Sequence, residues 1–395
     1  MDSLPPAYSL DPSDGESRID LTPARSASNR FTGTFLRKEG NLSVVLTEQE
    51  DGCVLPSYGR RAAINGAVFF ERRDSVTSVQ VKVVTLEGRM QVANHEHGSD
   101  LVTFLDETRT LWSVDSANPT TCPSTVPFSL VIPSEFEKDD NKRYELPPSF
   151  IVSSPELRVW IGYSLTVHAI ESHYPLVGFL RGSPSLRVVF NYRPRTRPAQ
   201  PILSNPAFLS SIKTSPEEWK QSLTTINPKP NNTTAAPIHC SLFVPAVQIF
   251  AISDNIPFHV QLTAPLASLR QLFPVPGNVH GNASLQVHMV RQVTVEVDGN
   301  VSSRNVGIGE GSLRPVPPLA SEIQPGPEFE KHMDWEGELK CQPDVEVGSF
   351  LTAGVSVKDF IIVSLYPPAR SDFPHSRNGI RIRIVTDPWT DEVDD

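Results

Sequence analysis

The chain is patterned in short runs where apolar and polar positions alternate, the period of two that marks half-buried strands. In residues 76–84, Val79, Val81 and Val83 fall on one side and Gln80 and Lys82 on the other. In residues 285–297, Leu285, Val287, Met289, Val293, Val295 and Val297 alternate with Gln286, His288, Gln292, Thr294 and Glu296. Arg291 interrupts the apolar side. It reads as a bend or the end of burial, the alternative being a charge set in a polar cluster. Near the end, Ile380, Ile382 and Ile384 point inward while Arg381 and Arg383 point outward. Residues 159–167 have apolar or aromatic odd positions and mixed even ones, which predicts a strand covered on both sides.

The same reading predicts strands at 30–36, 42–47, 63–70, 88–92, 101–105, 109–113, 126–133 and 186–192. Those at 240–252, 256–262, 335–341 and 354–365 repeat the series in the second half. Residues 37–41 make the turn of a hairpin, and 135–143 reads as a charged loop. Gly307-Ile308-Gly309-Glu310-Gly311 runs into Ser312-Leu313-Arg314-Pro315 and also reads as a loop. Residues 267–273 give one or two helical turns. Between the halves, 194–237 is rich in Pro and Arg at its start and in Pro, Asn and Thr at its end. Within it a short helix is expected from Ser215 to Leu223, with Ser215 as N-cap and Pro216 at its first position.

The expected fold class is therefore all-β: two tandem β-sandwich domains joined by a Pro-rich linker with a short helix. The divisions are a tail at 1–29, a first sandwich at 30–193, the linker at 194–237, a second sandwich at 238–388 and an acidic end at 389–395. Weak echoes between the halves fit this division. Val126-Pro127-Phe128 resembles Ile256-Pro257-Phe258, and Ser149-Phe150 resembles Ser349-Phe350.

Composition narrows the function. In 395 residues there are 37 Pro and 22 Gly, which favours short strands and turns over helices. The formal net charge of −10 argues against general nucleic-acid binding and leaves room only for local basic patches. The first thirty residues are polar and carry no apolar leader, so a cytoplasmic protein is expected. The four cysteines (Cys53, Cys122, Cys240 and Cys341) form no Cys-x-x-Cys pair and are expected as buried thiols. There is no Gly-x-Ser-x-Gly, His-Glu-x-x-His or Walker pattern, so no enzyme and no cofactor are expected. His95-Glu96-His97 lacks an evident third ligand, and no metal site is assigned to it.

One motif stands out in the tail. Pro5-Pro6-Ala7-Tyr8 has the Pro-Pro-x-Tyr spacing that WW domains bind in an aromatic-walled groove, because paired prolines preform an extended backbone. Four places then carry a family resemblance. They are 35–44, 58–68, the series Thr110-Leu111-Trp112-Ser113, Val126-Pro127-Phe128-Ser129-Leu130 and Leu146-Pro147-Pro148-Ser149-Phe150, and the strand 159–167. Together these resemble the arrestin fold, and specifically the α-arrestins, which include ubiquitin-ligase adaptors of the fungal type. The resemblance covers 30–193 by motif and 237–388 by pattern. The chain departs from it at Arg60-Arg61-Ala62, where the family reads Pro-Gly-Glu, and in having its Pro-Pro-x-Tyr before the body.

The resemblance implies an adaptor. Pro5, Pro6 and Tyr8 would recruit a WW-domain HECT ubiquitin ligase, and the body would bind a membrane transporter or receptor for ubiquitination and endocytosis. The alternative is an arrestin-fold sorting scaffold, like the retromer cargo-sorting subunit, that works without a ligase. Arg37 and Lys38 match a basic pair that signalling arrestins use to sense phosphate. With Arg60, Arg61, Arg72 and Arg73 they are candidates for a cargo, phosphate or anionic-membrane surface. Lys213, Lys220 and Lys229 are candidate ubiquitin acceptors in the linker. The expected location is the cytoplasm, peripheral at the plasma membrane or endosomes.

Overall fold

Strands with one apolar face must bury it against a second layer, and both halves of this chain do so. A computed structural model describes residues 16–19, 31–71, 76–81, 89–94, 98–113, 121–138, 142–155, 157–171, 185–202, 208–230, 235–273, 283–317 and 330–390. In the first half the strands are β1 (Glu16–Ile19), β2 (Gly33–Glu39), β3 (Leu42–Gln49), β4 (Ser57–Tyr58), β5 (Ala63–Phe70), β6 (Val76–Val81), β7 (Arg89–Asn94) and β8 (Gly98–Thr103). Next come β9 (Arg109–Ser113), β10 (Thr125–Val131), β11 (Glu135–Glu137), β12 (Arg143–Glu145), β13 (Phe150–Ser153), β14 (Leu157–Glu171), β15 (Ser185–Tyr192) and β16 (Arg195–Pro198).

One layer of this half has the order β10-β5-β3-β2. The other is organised on β14, long enough to pair with β15 and β6 along one stretch and with β13 and β7 along another. Its odd residues Val159, Ile161, Tyr163, Leu165 and Val167 are buried with Val44, Leu46, Ile64 and Val68 of the facing layer. Gly162 and Ser164 on its other face are buried too, as the mixed even positions implied. Tyr163 keeps its hydroxyl satisfied inside this core by donating to the Pro147 carbonyl.

The linker carries α1 (Phe208–Thr214), and the second half has β17 (Trp219–Ile226), β18 (Ile238–Pro245), β19 (Ile249–Ala251), β20 (Ile256–Pro265) and α2 (Leu266–Leu272). Then come β21 (Ser284–Val297), β22 (Asn300–Val316), β23 (Glu330–Cys341), β24 (Phe350–Thr352), β25 (Val355–Tyr366) and β26 (Ser376–Val385). They form one sheet, β17-β18-β20-β23-β22-β21-β25-β26-β19. The sheet curls until β17 meets β26, where Ser222 Oγ donates to Asn378 Oδ1 at 3.0 Å and Asn378 Nδ2 donates to the Ser222 carbonyl at 3.2 Å. The curl encloses Val260, Leu262, Met289, Leu339, Ile361 and Ile382 in a second core.

The structure corrects four sequence expectations. The helix expected over 215–223 is a single 3-10 turn, Pro216–Glu218, after which the chain becomes β17. Ser215 makes no side-chain cap bond, and the pull of pairing with β18 through eight residues outweighs a local helical start. The glycine-rich 307–311 is no loop but the middle of the 17-residue β22. A Cβ on Gly309 would stand 2.3 Å from the Lys340 carbonyl oxygen, and one on Gly311 2.9 Å from Phe258. These glycines therefore serve close packing within the sheet. The arms of the charged segment 135–143 pair as β11 and β12. Arg291 marks neither a bend nor the end of burial, since β21 runs on to Val297 with Val293, Val295 and Val297 buried. It sits directly across from Asp359 in the ladder, the charge-in-a-cluster alternative.

The halves share apolar packing. Val293, Val295 and Val297 of β21 and Val355 and Val357 of β25 belong to the first core. Phe150 and Phe350, paired by their sequence echo, meet edge to face across the seam with centroids 5.3 Å apart.

Candidate functional site

Three of the sequence candidates fall outside the described residues: the Pro5-Pro6-Ala7-Tyr8 motif, the Arg72-Arg73 pair and His95-Glu96-His97. Downstream of the motif, β1 begins at Glu16 and pairs antiparallel with β16 of the linker, Ile19 opposite Arg195 and Glu16 opposite Pro198. The tail is thus tied by its backbone to the start of the linker.

The hairpin basic pair lies near the free end of β2. Arg37 and Lys38 are both exposed, and Lys38 is ion-paired with Glu71. Arg60 and Arg61 separate. Arg61 stays exposed with a left-handed φ of 53°, while Arg60 turns inward, its side chain 11% exposed and its Nη1 3.5 Å from Glu145 Oε1. The structure therefore does not bring Arg37, Lys38, Arg60 and Arg61 together as one free surface. Lys213, Lys220 and Lys229 are exposed, with Lys229 Nζ donating to the Ser371 carbonyl at 2.9 Å. The thiols split: Cys122 and Cys240 are buried, and Cys53 and Cys341 half-buried. Burial pushes the Cys240 thiol up to about 12 and the Cys341 thiol up to about 11, so neither is a ready nucleophile.

Arg60 leads to a feature that motif reading missed. A cavity of about 540 Å³ lies between the two sandwiches. Arg60, Lys142, Arg143, Arg193 and Arg195 line it from the first half and the linker. Lys358 and Arg383 line it from the second half, and the lining carboxylates are Glu145, Glu296 and Glu346. The cavity is framed by polar ties across the seam. Arg193 pairs with Glu346, and Arg195 holds Asp387 bidentately, its Nε 3.0 Å from both carboxylate oxygens. Thr196 N donates to Thr386 Oγ1 at 2.9 Å, and Asp387 N to the Thr196 carbonyl at 2.9 Å. These cations are scattered from 60 to 383 in sequence, so no local cluster announces them. The one available signal was the Arg193, Arg195 and Arg197 run in the linker opening.

No protein-family model matches the chain, and no curated protein matches it. A solved structure, the crystal structure of squid arrestin, is similar. The match covers 91% of this chain and 100% of that one, at 8% identity and a TM-score of 0.37. A likeness of that size carries no argument about function.

A second polar cluster lies on the outer face of the second sheet, under α1. Phe208 stacks on the His259 ring with centroids 3.8 Å apart, and His259 Nε2 is 2.8 Å from Asp334 Oδ1. Gln261 Nε2 donates to the same oxygen at 2.9 Å. Burial alone pushes the Asp334 carboxyl up. The bonds from His259 and Gln261, with the charges of His259 and His332, outweigh it and hold the carboxyl below its ordinary value. Phe208 covers the histidine and itself packs edge to face on Trp219, with centroids 4.8 Å apart, so this cluster fastens the linker to the second sandwich.

Proposed function

We propose that this chain is a cytoplasmic arrestin-like adaptor of the α-arrestin type. Pro5, Pro6 and Tyr8 recruit a WW-domain HECT ubiquitin ligase, and the sandwiches hold a membrane transporter or receptor so that it is ubiquitinated and endocytosed. The protein acts without catalysis or cofactor, peripherally at the plasma membrane or endosomes. Arg37, Lys38 and Arg61, exposed on the first sandwich, are the cations offered to cargo or to anionic lipid, joined in this reading by Arg72 and Arg73. Lys213, Lys220 and Lys229 are the acceptors nearest the linker.

The observation that carries the reading is the pairing of β1 with β16. It sets Glu16–Ile19 beside the start of the linker, and in this reading a module captured on the motif is kept near the body. A single WW–peptide contact is weak, and such tethering raises its effective concentration at the cargo.

The test is a calorimetric titration of purified WW domains into the full chain and its Tyr8→Ala variant at fixed salt. Saturable binding by the wild type and its loss in the variant are expected. Equal binding by both, or by neither, removes the ligase and leaves a sorting scaffold.

A further inference from the structure

We propose that Thr390 is a phosphorylation site and that Arg197 receives its phosphate, clasping the segment after the last strand onto the linker. The proposal rests neither on the tail motif nor on the adaptor reading.

The site follows from how β16 is built. Alternate residues of a strand share a face, so Arg195 and Arg197 point the same way. Arg195 holds Asp387, and Arg197 Nη1 donates to Thr390 Oγ1 at 2.6 Å. The strand is backed by β1, with Ser17 opposite Arg197 and Ile19 opposite Arg195. This face of the linker therefore already takes one anion, Asp387, and presents a second guanidinium to a hydroxyl.

Two threonines border the face, and their surroundings separate them. The Thr386 hydroxyl is half-buried, accepts from Thr196 N at 2.9 Å, and has the Thr196 carbonyl at 3.1 Å and Asp387 Oδ2 at 2.7 Å to donate to. Thr390 is exposed, and its hydroxyl accepts from Arg197 but donates to none of the described residues. Past Asp387 no backbone hydrogen bond among the described residues holds 388–390. This stretch can enter an enzyme's groove at the cost of one side-chain bond. The sequence then reads Asp391-Glu392-Val393-Asp394-Asp395. Carboxylates in that density after the acceptor suit a protein kinase with a basic substrate groove, because charge pattern sets kinase selectivity.

In the transfer, Thr390 Oγ1 bonds to the γ-phosphorus of ATP and the bond from that phosphorus to the β,γ-bridging oxygen breaks. ADP leaves with the electron pair, and the hydroxyl proton passes to the kinase's base. The product carries about 1.5 to 2 negative charges at neutral pH. A guanidinium fork matches two phosphate oxygens at once, so a single bond to a hydroxyl becomes a charge-assisted pair. The segment is then latched to the strand that joins the sandwiches.

The full chain is incubated with ATP and a purified kinase that prefers acidic substrates, and modified residues are mapped by mass spectrometry. Thr390→Ala, Thr390→Ser and Arg197→Gln accompany the wild type. The phosphorylated proteins are titrated through about pH 4 to 8 by phosphorus NMR, which brackets the second phosphate ionisation. Limited proteolysis of the linker is compared before and after phosphorylation.

Incorporation at position 390 is expected, lost in Thr390→Ala and kept in Thr390→Ser and Arg197→Gln. The phosphate should titrate at least about half a pH unit lower in the wild type than in Arg197→Gln, because the guanidinium favours the dianion. Linker cleavage of the wild type should slow about threefold or more on phosphorylation, an effect absent from Arg197→Gln. The wild-type comparison stands by itself if Arg197→Gln fails to fold. Absence of phosphate from Thr390 overturns the proposal. So does a phosphate that titrates alike with and without Arg197, or whose arrival leaves cleavage unchanged. Tyr8→Ala is expected to behave as the wild type throughout, so failure here and failure of the adaptor reading are distinguishable.

Discussion

Removing the Arg291 guanidinium while keeping its bulk, as in Arg291→Met, should destabilise the second sandwich severely. Asp359 is fully buried, and its carboxylate accepts from Arg291 Nε at 2.8 Å, Arg291 Nη2 at 3.0 Å and Ser349 Oγ at 2.7 Å. The substitution takes away the only countercharge among these donors and leaves one hydroxyl to hold a buried anion. Breaking a buried pair on one side costs about 3–5 kcal/mol, most of it the orphaned charge. At about 2–4 °C per kcal/mol for a domain of this size, the loss in melting temperature is roughly 6–20 °C. Replacing both partners, Arg291→Met with Asp359→Leu, removes the charge along with its partner and should recover most of the loss. The assay is urea unfolding of the full chain followed by tryptophan fluorescence, read with the thermal melt. A single variant within about 1 kcal/mol of the wild type would refute the reasoning, and so would a double variant as unstable as the single one.

Gly337→Ala should cost about 2–3 kcal/mol in the same unfolding assay, because its Cβ would stand 1.8 Å from the Ser312 carbonyl oxygen and 2.5 Å from the Phe258 ring. Asp334 has its folded pKa depressed, so its stabilisation is complete above the unfolded value near 3.9 and is lost as pH falls through the folded one. Thermal melts between about pH 6 and pH 2 should therefore show the wild type losing its advantage over Asp334→Asn at the acid end. Arg195→Ala removes a bidentate tie to Asp387 that is about four-fifths buried, and should cost about 1–3 kcal/mol. Faster proteolysis in the linker, with the sandwich cores still protected, is the expected sign of a looser seam.

Much of the fold was legible because alternation survives wherever one face is buried. The patterns at 285–297 and 380–384 sit in β21 and β26 with most of their apolar positions buried as implied, although Arg383, expected to point outward, is half-buried and lines the cavity between the sandwiches. Legibility failed where a residue's reason is another strand. Gly309 and Gly311 look like loop residues until the neighbours at β23 and β20 show why no Cβ fits. Trp219 comes after a helix-like start, but its strand is dictated by Ile238–Pro245 across the ladder. Arg291 breaks its pattern because its partner lies 68 residues away. The cavity was illegible for the same reason, its cations being gathered only when the two sandwiches meet.

The tail shows how one backbone pairing bears on function. β1 adds a strand to β16, and β16 carries Arg195, whose side chain holds Asp387 near the other end of the chain. One strand pairing and one ion pair thus gather the start of the chain, the linker and the last strand at a single place. Seven residues lie between Tyr8 and Glu16, and the eight steps from one to the other span at most about 29 Å when fully extended. Any module that grips Pro5, Pro6 and Tyr8 is accordingly confined to a shell of that radius around the point where β1 begins, on the side of the body that carries the linker. A motif at the end of a long free tail would sample a far larger volume, and its effective concentration would fall roughly as the three-halves power of tether length. Loss of the β1–β16 pairing, for example through Ser17→Pro, which removes a backbone donor, would lengthen the tether without touching the motif. Affinity for an isolated WW domain should then stay constant while ubiquitination of bound cargo in a reconstituted reaction falls, and an equal fall in both would place the strand's role in the motif itself.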